Sequence, residues 1–123
     1  MDAQLLHARG IRPVDIRVAV VAGFGLRIGA RATLVPTPGK EVHGVLMKLS
    51  HADIDKLYAD PSLEAYRPEP VLAVVRDGAS VAALCYNLPA APSPDERNAG
   101  YASKLTALAA RLGLPNDYVA SIG

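Results

Sequence analysis

The dipeptide Asp77-Gly78 constrains the fold of this chain more than any other feature, because it joins two runs of apolar and β-branched residues. Glu69–Arg76 precedes the dipeptide, and Ser80–Leu88 follows it. Aspartate followed by glycine is typical of the tight turn of a β-hairpin, where glycine adopts positive φ angles without strain. The sequence therefore predicts an antiparallel pair of strands in the second half of the chain.

The first half of the chain also reads as β structure. A strand is predicted over Val14–Phe24 because apolar residues occupy alternate positions at Val14, Ile16, Val18 and Val20. Glycines at 23, 25 and 29 then favour short, strongly curved strands over Leu26–Val35. The run Pro36-Thr37-Pro38-Gly39 predicts a turn before a further strand at Glu41–Leu49.

Four helical segments are predicted around these strands. Asp2–Arg9 carries good helix formers and stops at Gly10, which is a common helix-ending residue. Ser50 with Asp53 three residues later forms an opening like a capping box, for a helix that runs to Tyr58. The other two segments are a longer helix over 98–112 and one or two helical turns over 115–122.

Length and element order together favour one domain over residues 1–123. A chain of 123 residues is large enough to bury one core, and half of its residues are apolar. The order of helix, strands, helix, hairpin and helix is typical of the α+β class. It suits an antiparallel or mixed sheet that curls toward a barrel with helices outside.

Charge and hydropathy exclude several partners. The 13 basic and 12 acidic residues leave a net charge of +1 and are scattered along the chain, so no nucleic-acid surface is predicted. The longest apolar stretch, Val18–Ala22, is too short to span a membrane, and the first residues do not resemble a signal peptide. Cys85 is the single cysteine, which we expect to be buried and which favours a cytoplasmic location.

No metal or nucleophile motif is predicted. His7, His43 and His51 lack the spacing of metal ligands, and His43 fits the wall of a sheet better than a catalytic role. Cys85 has no histidine beside it in the sequence. The segment Gly23-Phe24-Gly25 is not followed by a helix, so it favours a bent strand over a phosphate-binding loop.

The irregular segment after the second helix holds the candidate catalytic residues. Asp60 and Glu64 lie beside Pro61 and Tyr66 there, in a loop of the kind that often carries functional groups. From the residues alone, solvated loop carboxylates are the simpler explanation of the pattern. Three tyrosines are candidates to converge on one pocket: Tyr66, Tyr86 and Tyr101. Tyr101 also suits the core.

From about Ala32 onward the chain resembles the γ-glutamylcyclotransferase-like (AIG2-like) family. The most specific pieces are EVHGVL at Glu41–Leu46 and GLPNDY at Gly113–Tyr118. Further matching pieces are Asp55-Lys56-Leu57, Tyr66-Arg67-Pro68, Cys85-Tyr86, Pro92-Ser93-Pro94 and Tyr101. The resemblance implies a closed or nearly closed mixed β-barrel of six strands flanked by helices.

The resemblance also implies a reaction that needs no cofactor. In such enzymes the α-amine of a γ-glutamyl group attacks its own γ-carbonyl, which forms 5-oxoproline and releases the attached amine. A carboxylate carries the proton from the α-ammonium group to the leaving nitrogen, and hydrogen-bond donors hold the substrate carboxylate and the oxyanion. The family supplies donors from a YGSN-type loop after its first strand.

The chain departs from the family pattern in two places. It begins at the helix that normally follows the YGSN loop, so we expect either a start codon placed too far downstream or a lost loop. The family also carries its catalytic glutamate just after the helix that ends at Leu57. Here Asp60 is the nearest acid, and Glu64 aligns only across a gap.

Two functions therefore remain open at the level of sequence. One is cyclisation of a small γ-glutamyl amine or peptide, with Asp60 or Glu64 as the proton shuttle and the three tyrosines lining the pocket. The other is an inactive family member that binds a small metabolite or serves as an interaction module. Because an absent first strand would leave a strand edge unpaired, we also expect a homodimer.

Overall fold

The computed structural model describes residues 3–122. Its helices are α1 (Ala3–Ala8), α2 (His51–Tyr58), α3 (Ala99–Arg111) and α4 (Asn116–Ser121), with a short 3-10 helix at Pro61–Leu63. Its strands are β1 (Val14–Ile28), β2 (Ala32–Lys48), β3 (Arg67–Val75) and β4 (Ser80–Asn87). The α+β class is confirmed.

The predicted hairpin at Asp77-Gly78 is confirmed. β3 and β4 pair antiparallel in continuous register from Arg67 opposite Asn87 to Val74 opposite Ser80. Gly78 has a φ of 88°, and the Asp77 carboxylate accepts a hydrogen bond from the Ala79 amide at 2.8 Å. The glycine supplies the left-handed backbone, and the aspartate fixes the turn.

The predicted turn at Pro36–Gly39 is wrong, because these residues lie inside β2. β1 and β2 form one long antiparallel hairpin that turns at Gly29–Arg31. Phe24 pairs with Pro36 and Ala22 pairs with Glu41, so only Gly23 stands opposite the residues 37–40. The prolines and glycine interrupt the ladder as expected, but they produce a bulge and not a reversal of the chain.

The core lies on the face of the sheet that carries Ala19, Ala73 and Val75, which are 3–6% exposed. β1 has a register shift between Val14 and Arg17, where Asp15 adopts a φ of 54°. The predicted alternation does exist, yet Val14 is 58% exposed. Both faces of this strand are apolar, so alternation alone did not indicate which face is buried.

The sheet is open, so the expected closed, mixed barrel of six strands is not confirmed. The described strands follow the order β2-β1-β3-β4, and every pairing is antiparallel. β1 and β3 share only two residue pairs, Ala19 with Val75 and Val20 with Val74. The strands diverge beyond these pairs, and this divergence lets the sheet curl over a cavity.

The predicted helices are confirmed where the structure describes them. The Ser50 hydroxyl accepts a hydrogen bond from the Asp53 amide at 3.1 Å, which caps α2. Asn98 caps α3 in the same way through the Tyr101 amide, and Gly113 with a φ of 75° follows its end. The expected first helix is present as α1, while Asp2 lies outside the described residues.

Candidate functional site

A cavity of about 340 Å³ lies between the curled sheet and the two C-terminal helices. Its walls come from all four strands, with Tyr101 and Leu105 of α3, Tyr118 of α4 and Ile122 at one side. The volume is near the lower end of the range for pockets that bind small molecules. The cavity is therefore large enough for a compact metabolite.

Small residues create this space. Ala19, Ala73 and Ala83 point from three neighbouring strands to the same side of the sheet, where leucine or valine would fill the volume. Val42 on β2 is 5% exposed and closes the floor. The inward face of the sheet is consequently smooth and apolar.

Tyrosines supply the phenol groups of the cavity. Tyr86, Tyr101 and Tyr118 line it from three different elements, β4, α3 and α4. Tyr86 also stacks on Tyr58 of α2, with ring centroids 4.0 Å apart and planes at 18°. This stacking fixes the Tyr86 ring, while Tyr118 lies tilted against His43 at a centroid distance of 4.9 Å.

Burial disfavours ionisation of four tyrosines in and around the cavity. Removal from water raises the pKa of Tyr58 to about 12, and the nearby Tyr86 adds to the shift. Burial likewise raises the pKa of Tyr66, of Tyr101 and of Tyr118. These four phenol groups are therefore uncharged hydrogen-bonding groups at neutral pH.

A polar cluster forms one end of the cavity, at the seam between β2 and β4. Thr33 and Asn87 are 4% and 5% exposed. The Asn87 side-chain oxygen accepts a hydrogen bond from the Leu34 amide at 3.1 Å, and the Thr33 hydroxyl accepts one from the Leu88 amide at 2.9 Å. Both side chains are therefore hydrogen-bonded to backbone groups of the protein, and these bonds join β2 to the end of β4.

Two carboxylates outside the cavity contact residues of its lining. Glu69 accepts a hydrogen bond from the Asn87 amide nitrogen at 2.8 Å, and Glu41 lies 3.3 Å from His43 Nε2. Neither glutamate is among the residues that line the cavity. Within residues 3–122, no Asp, Glu, Lys or Arg side chain contributes to the lining.

Asp60 lies outside the cavity lining and is fully engaged. Its carboxylate caps the 3-10 helix by accepting hydrogen bonds from the Ser62 amide at 2.9 Å and the Ser62 hydroxyl at 2.8 Å. Arg9 forms an ion pair with it at 3.0 Å. The bonds from Ser62, together with the Arg9 charge, hold the pKa of Asp60 below its usual value.

Glu64 and Tyr66 also lie outside the lining. Glu64 is exposed at the end of the 3-10 helix, where its carbonyl accepts a hydrogen bond from Arg67 at 2.6 Å. The Tyr66 hydroxyl donates to the Ala32 carbonyl at 2.6 Å, and Ala32 belongs to the cavity rim. Of the five predicted site residues, the cavity brings together Tyr86 and Tyr101, and the catalytic roles of Asp60 and Glu64 stay predictions.

Cys85 lies on β4, as predicted, and it lines the cavity as a half-buried thiol. Burial raises the pKa of Cys85, and the Glu69 charge adds to that rise. A thiol held protonated is a weak nucleophile. Cys85 is thus less buried than expected from the sequence, and its raised pKa makes it a poor nucleophile.

Several lining residues were not among the predicted site residues. Thr33, Asn87 and Tyr118 belong to separate elements that meet only in the folded chain. Asn87 did leave a signal in the sequence, because a carboxamide ends an otherwise apolar strand. The described part of the chain holds neither a cluster of three metal-ligating side chains nor a helix that could cross a membrane.

The fold and the cavity define a class: small α+β proteins whose antiparallel sheet curls over a cavity that is covered by C-terminal helices. The chain belongs to the family described as gamma-glutamyl cyclotransferase, AIG2-like, whose pattern matches residues 2–104. The resemblance stated from the sequence is thereby confirmed. No match is found among curated proteins.

Solved structures share this fold. A structure titled gamma-glutamyl cyclotransferase superposes with a TM-score of 0.75 at 22% identity, covering 98% of this chain and 80% of that one. The human uncharacterized protein loc79017 gives a TM-score of 0.71 at 22% identity, with 96% and 79% covered. At5g39720.1 from Arabidopsis thaliana gives 0.65 at 24% identity, with 89% and 76% covered. At these identities the likeness shows the fold alone.

Proposed function

We propose that this chain is a member of the gamma-glutamyl cyclotransferase family that binds a small ligand in the sheet cavity and has little cyclotransferase activity. One observation carries the proposal: no carboxylate is among the residues that line the described cavity. Cyclisation needs a carboxylate within hydrogen-bond reach of the α-ammonium group. Within the described part of the chain, the polar side chains that line the cavity include phenols and a thiol, but no carboxylate.

The state of Asp60 supports the same conclusion. A general base works best when its pKa is close to the working pH and its oxygen atoms are free to accept a proton. Asp60 has a lowered pKa, and its oxygen atoms are bonded to Ser62 and Arg9. These contacts favour a structural role, in which the carboxylate links the 3-10 helix to Arg9, just after α1.

Cyclotransfer by Asp60 or Glu64 is the second candidate function. Family membership favours it, and the Tyr66 hydroxyl anchors this segment to the cavity rim through Ala32. In that reaction the α-nitrogen bonds to the carbonyl carbon of the γ-amide, the amide C–N bond at that carbon breaks, and the carboxylate passes the α-ammonium proton to the leaving amine. The segment would have to move so that a carboxylate reached the cavity.

The test is release of 5-oxoproline from γ-glutamylbenzylamide and from γ-glutamyl dipeptides by the purified chain, with an active cyclotransferase as positive control. We expect turnover at least about 10²-fold below that control, because no carboxylate among the described residues lines the cavity to carry the proton. Turnover comparable with the control, lost in Asp60→Asn or Glu64→Gln, would establish the second candidate instead. The exposed Asp55→Asn variant is the matched control for these substitutions.

A further inference from the structure

The cavity has an electrostatic character that restricts what it can bind. Its described lining contains aliphatic side chains, three tyrosines, one thiol whose pKa is raised by burial, and the polar pair Thr33 and Asn87. His43 is the single lining residue whose side chain gains a full positive charge on protonation, and its Nε2 already faces Glu41. A charged ligand group would find few charge partners here.

A γ-glutamyl head group carries an ammonium and a carboxylate close together. Transfer of either group from water into an apolar site is costly unless an opposite charge or several hydrogen bonds compensate it. Thr33 and Asn87 cannot compensate well, because their oxygen atoms already receive the amides of Leu88 and Leu34. The cavity is therefore poorly matched to the head group of the family's substrates.

Two phenol groups of the cavity are free to form hydrogen bonds with a ligand. Within residues 3–122, the hydroxyl groups of Tyr86 and Tyr101 make no hydrogen bond to another residue. Tyr86 is held by its stacking on Tyr58, and Tyr101 is 41% exposed at the mouth. Such hydroxyls suit one or two neutral polar groups of a ligand, such as an amide carbonyl and an amide N–H.

From these features we infer that the cavity selects an uncharged, largely apolar small molecule that carries an amide or a similar neutral polar group. This inference rests on the proposed function, since it names the ligand class of the same cavity. The apolar part of the ligand would lie against Ala73, Ala83 and Leu105. Its neutral polar group would meet the phenols of Tyr86 and Tyr101.

The decisive experiment compares two ligands that differ only in the charged groups. N-benzylbutanamide is γ-glutamylbenzylamide without its α-ammonium and α-carboxylate groups. Calorimetric titration of the full chain should give at least about tenfold tighter binding for the uncharged compound, because the cavity offers few partners for either charge. Equal or tighter binding of the γ-glutamyl compound would overturn the inference, as would failure of N-benzylbutanamide and its N-hexyl analogue to bind.

Two variants establish where the ligand binds. Tyr101→Lys places an ammonium group at the mouth and should weaken binding of N-benzylbutanamide at least about fivefold, while Ala83→Leu fills the cavity and should weaken it further. Leu72→Ala is the matched control, because Leu72 is 60% exposed and is not a lining residue. Circular dichroism checks that each variant is folded, and unchanged binding in both folded cavity variants would overturn the inference.

The 5-oxoproline assay keeps the two proposals separable. Fast turnover of γ-glutamylbenzylamide would contradict the proposed function, whatever the affinities are. Slow turnover combined with a preference for the γ-glutamyl compound would leave the proposed function standing and would refute the uncharged ligand class. The two measurements use the same protein and the same compound, so their outcomes can be compared directly.

Discussion

Thr33 and Asn87 connect the two edge strands of the open sheet, because the side chain of each accepts a hydrogen bond from a backbone amide next to the other. The Asn87 side chain on β4 receives the amide of Leu34 on β2, and the Thr33 hydroxyl on β2 receives the amide of Leu88 just after β4. Two side chains thus replace a backbone ladder between the edge strands. This link places Asn87 at the end of the cavity, where its amide nitrogen donates to Glu69 outside the lining.

Asn87→Ala should reduce the free energy of unfolding by about 1–3 kcal/mol, because the partly buried Leu34 amide and the Glu69 carboxylate lose their partner. Urea unfolding followed by circular dichroism measures the change. Asn116→Ala is the matched control, since Asn116 is exposed at the start of α4 and should stay within about 0.5 kcal/mol. An equal, small effect of both substitutions would show that the seam is not important for stability.

Gly29→Ala should destabilise the fold by about 1–3 kcal/mol through overpacking. A Cβ at this buried turn would lie 2.5 Å from Pro92 Cβ and 3.1 Å from Glu96 Cβ, in the loop that docks on it. Urea unfolding again provides the measurement. Gly100→Ala is the control, because a Cβ there meets only Asn98 Oδ1 at 3.9 Å and should be neutral or stabilising. Equal stability of both variants would contradict the packing of this loop.

Asp60 should make the protein sensitive to acid. Its pKa is lowered in the folded chain, mainly by the Ser62 hydrogen bonds, so its contribution is present above the unfolded pKa of about 3.9. That contribution is lost as the pH falls through the lower folded value. The loss of unfolding free energy below about pH 4 should therefore be smaller in Asp60→Asn than in the wild type, while Asp55→Asn should behave as the wild type.

Self-association remains a prediction, now with a specific surface. Leu72 and Leu84 are 60% and 59% exposed on neighbouring strands, and β4 is an edge of the sheet. Light scattering at high protein concentration should report a dimer for the wild type and a monomer for the double variant Leu72→Lys with Leu84→Lys. Leu5→Lys on α1 is the control and should stay dimeric. A monomeric wild type would refute this prediction.

Local chemistry made much of the fold predictable. Asp77-Gly78 predicted the hairpin and Ser50 predicted the start of a helix, because each signal acts within a few residues. Pro36–Gly39 misled the prediction, since the same residues suit a turn or a bulge and only the pairing with β1 decides between them. The openness of the sheet likewise depends on distant pairings that no local pattern encodes.

The candidate site was harder to predict than the fold. Tyr86 and Tyr101 were found because phenols in a small domain tend to pack and to hydrogen-bond, and both do line the cavity. The engagement of Asp60 by Arg9 joins residues 51 positions apart, so the sequence could not reveal it. The seam between Thr33 and Asn87 depends on a separation of 54 residues and was missed for the same reason.

The most direct test of the central claim is methyl NMR of the isotopically labelled chain during titration with N-benzylbutanamide. If the cavity is the functional site, saturable shifts should appear at Val42 and Leu105, which line it, and at Ile122 beside them. Leu63, in the 3-10 helix that Asp60 caps, and the exposed Leu5 should keep their positions. Shifts centred on Leu63, or none at the lining methyls at saturating ligand, would contradict the claim.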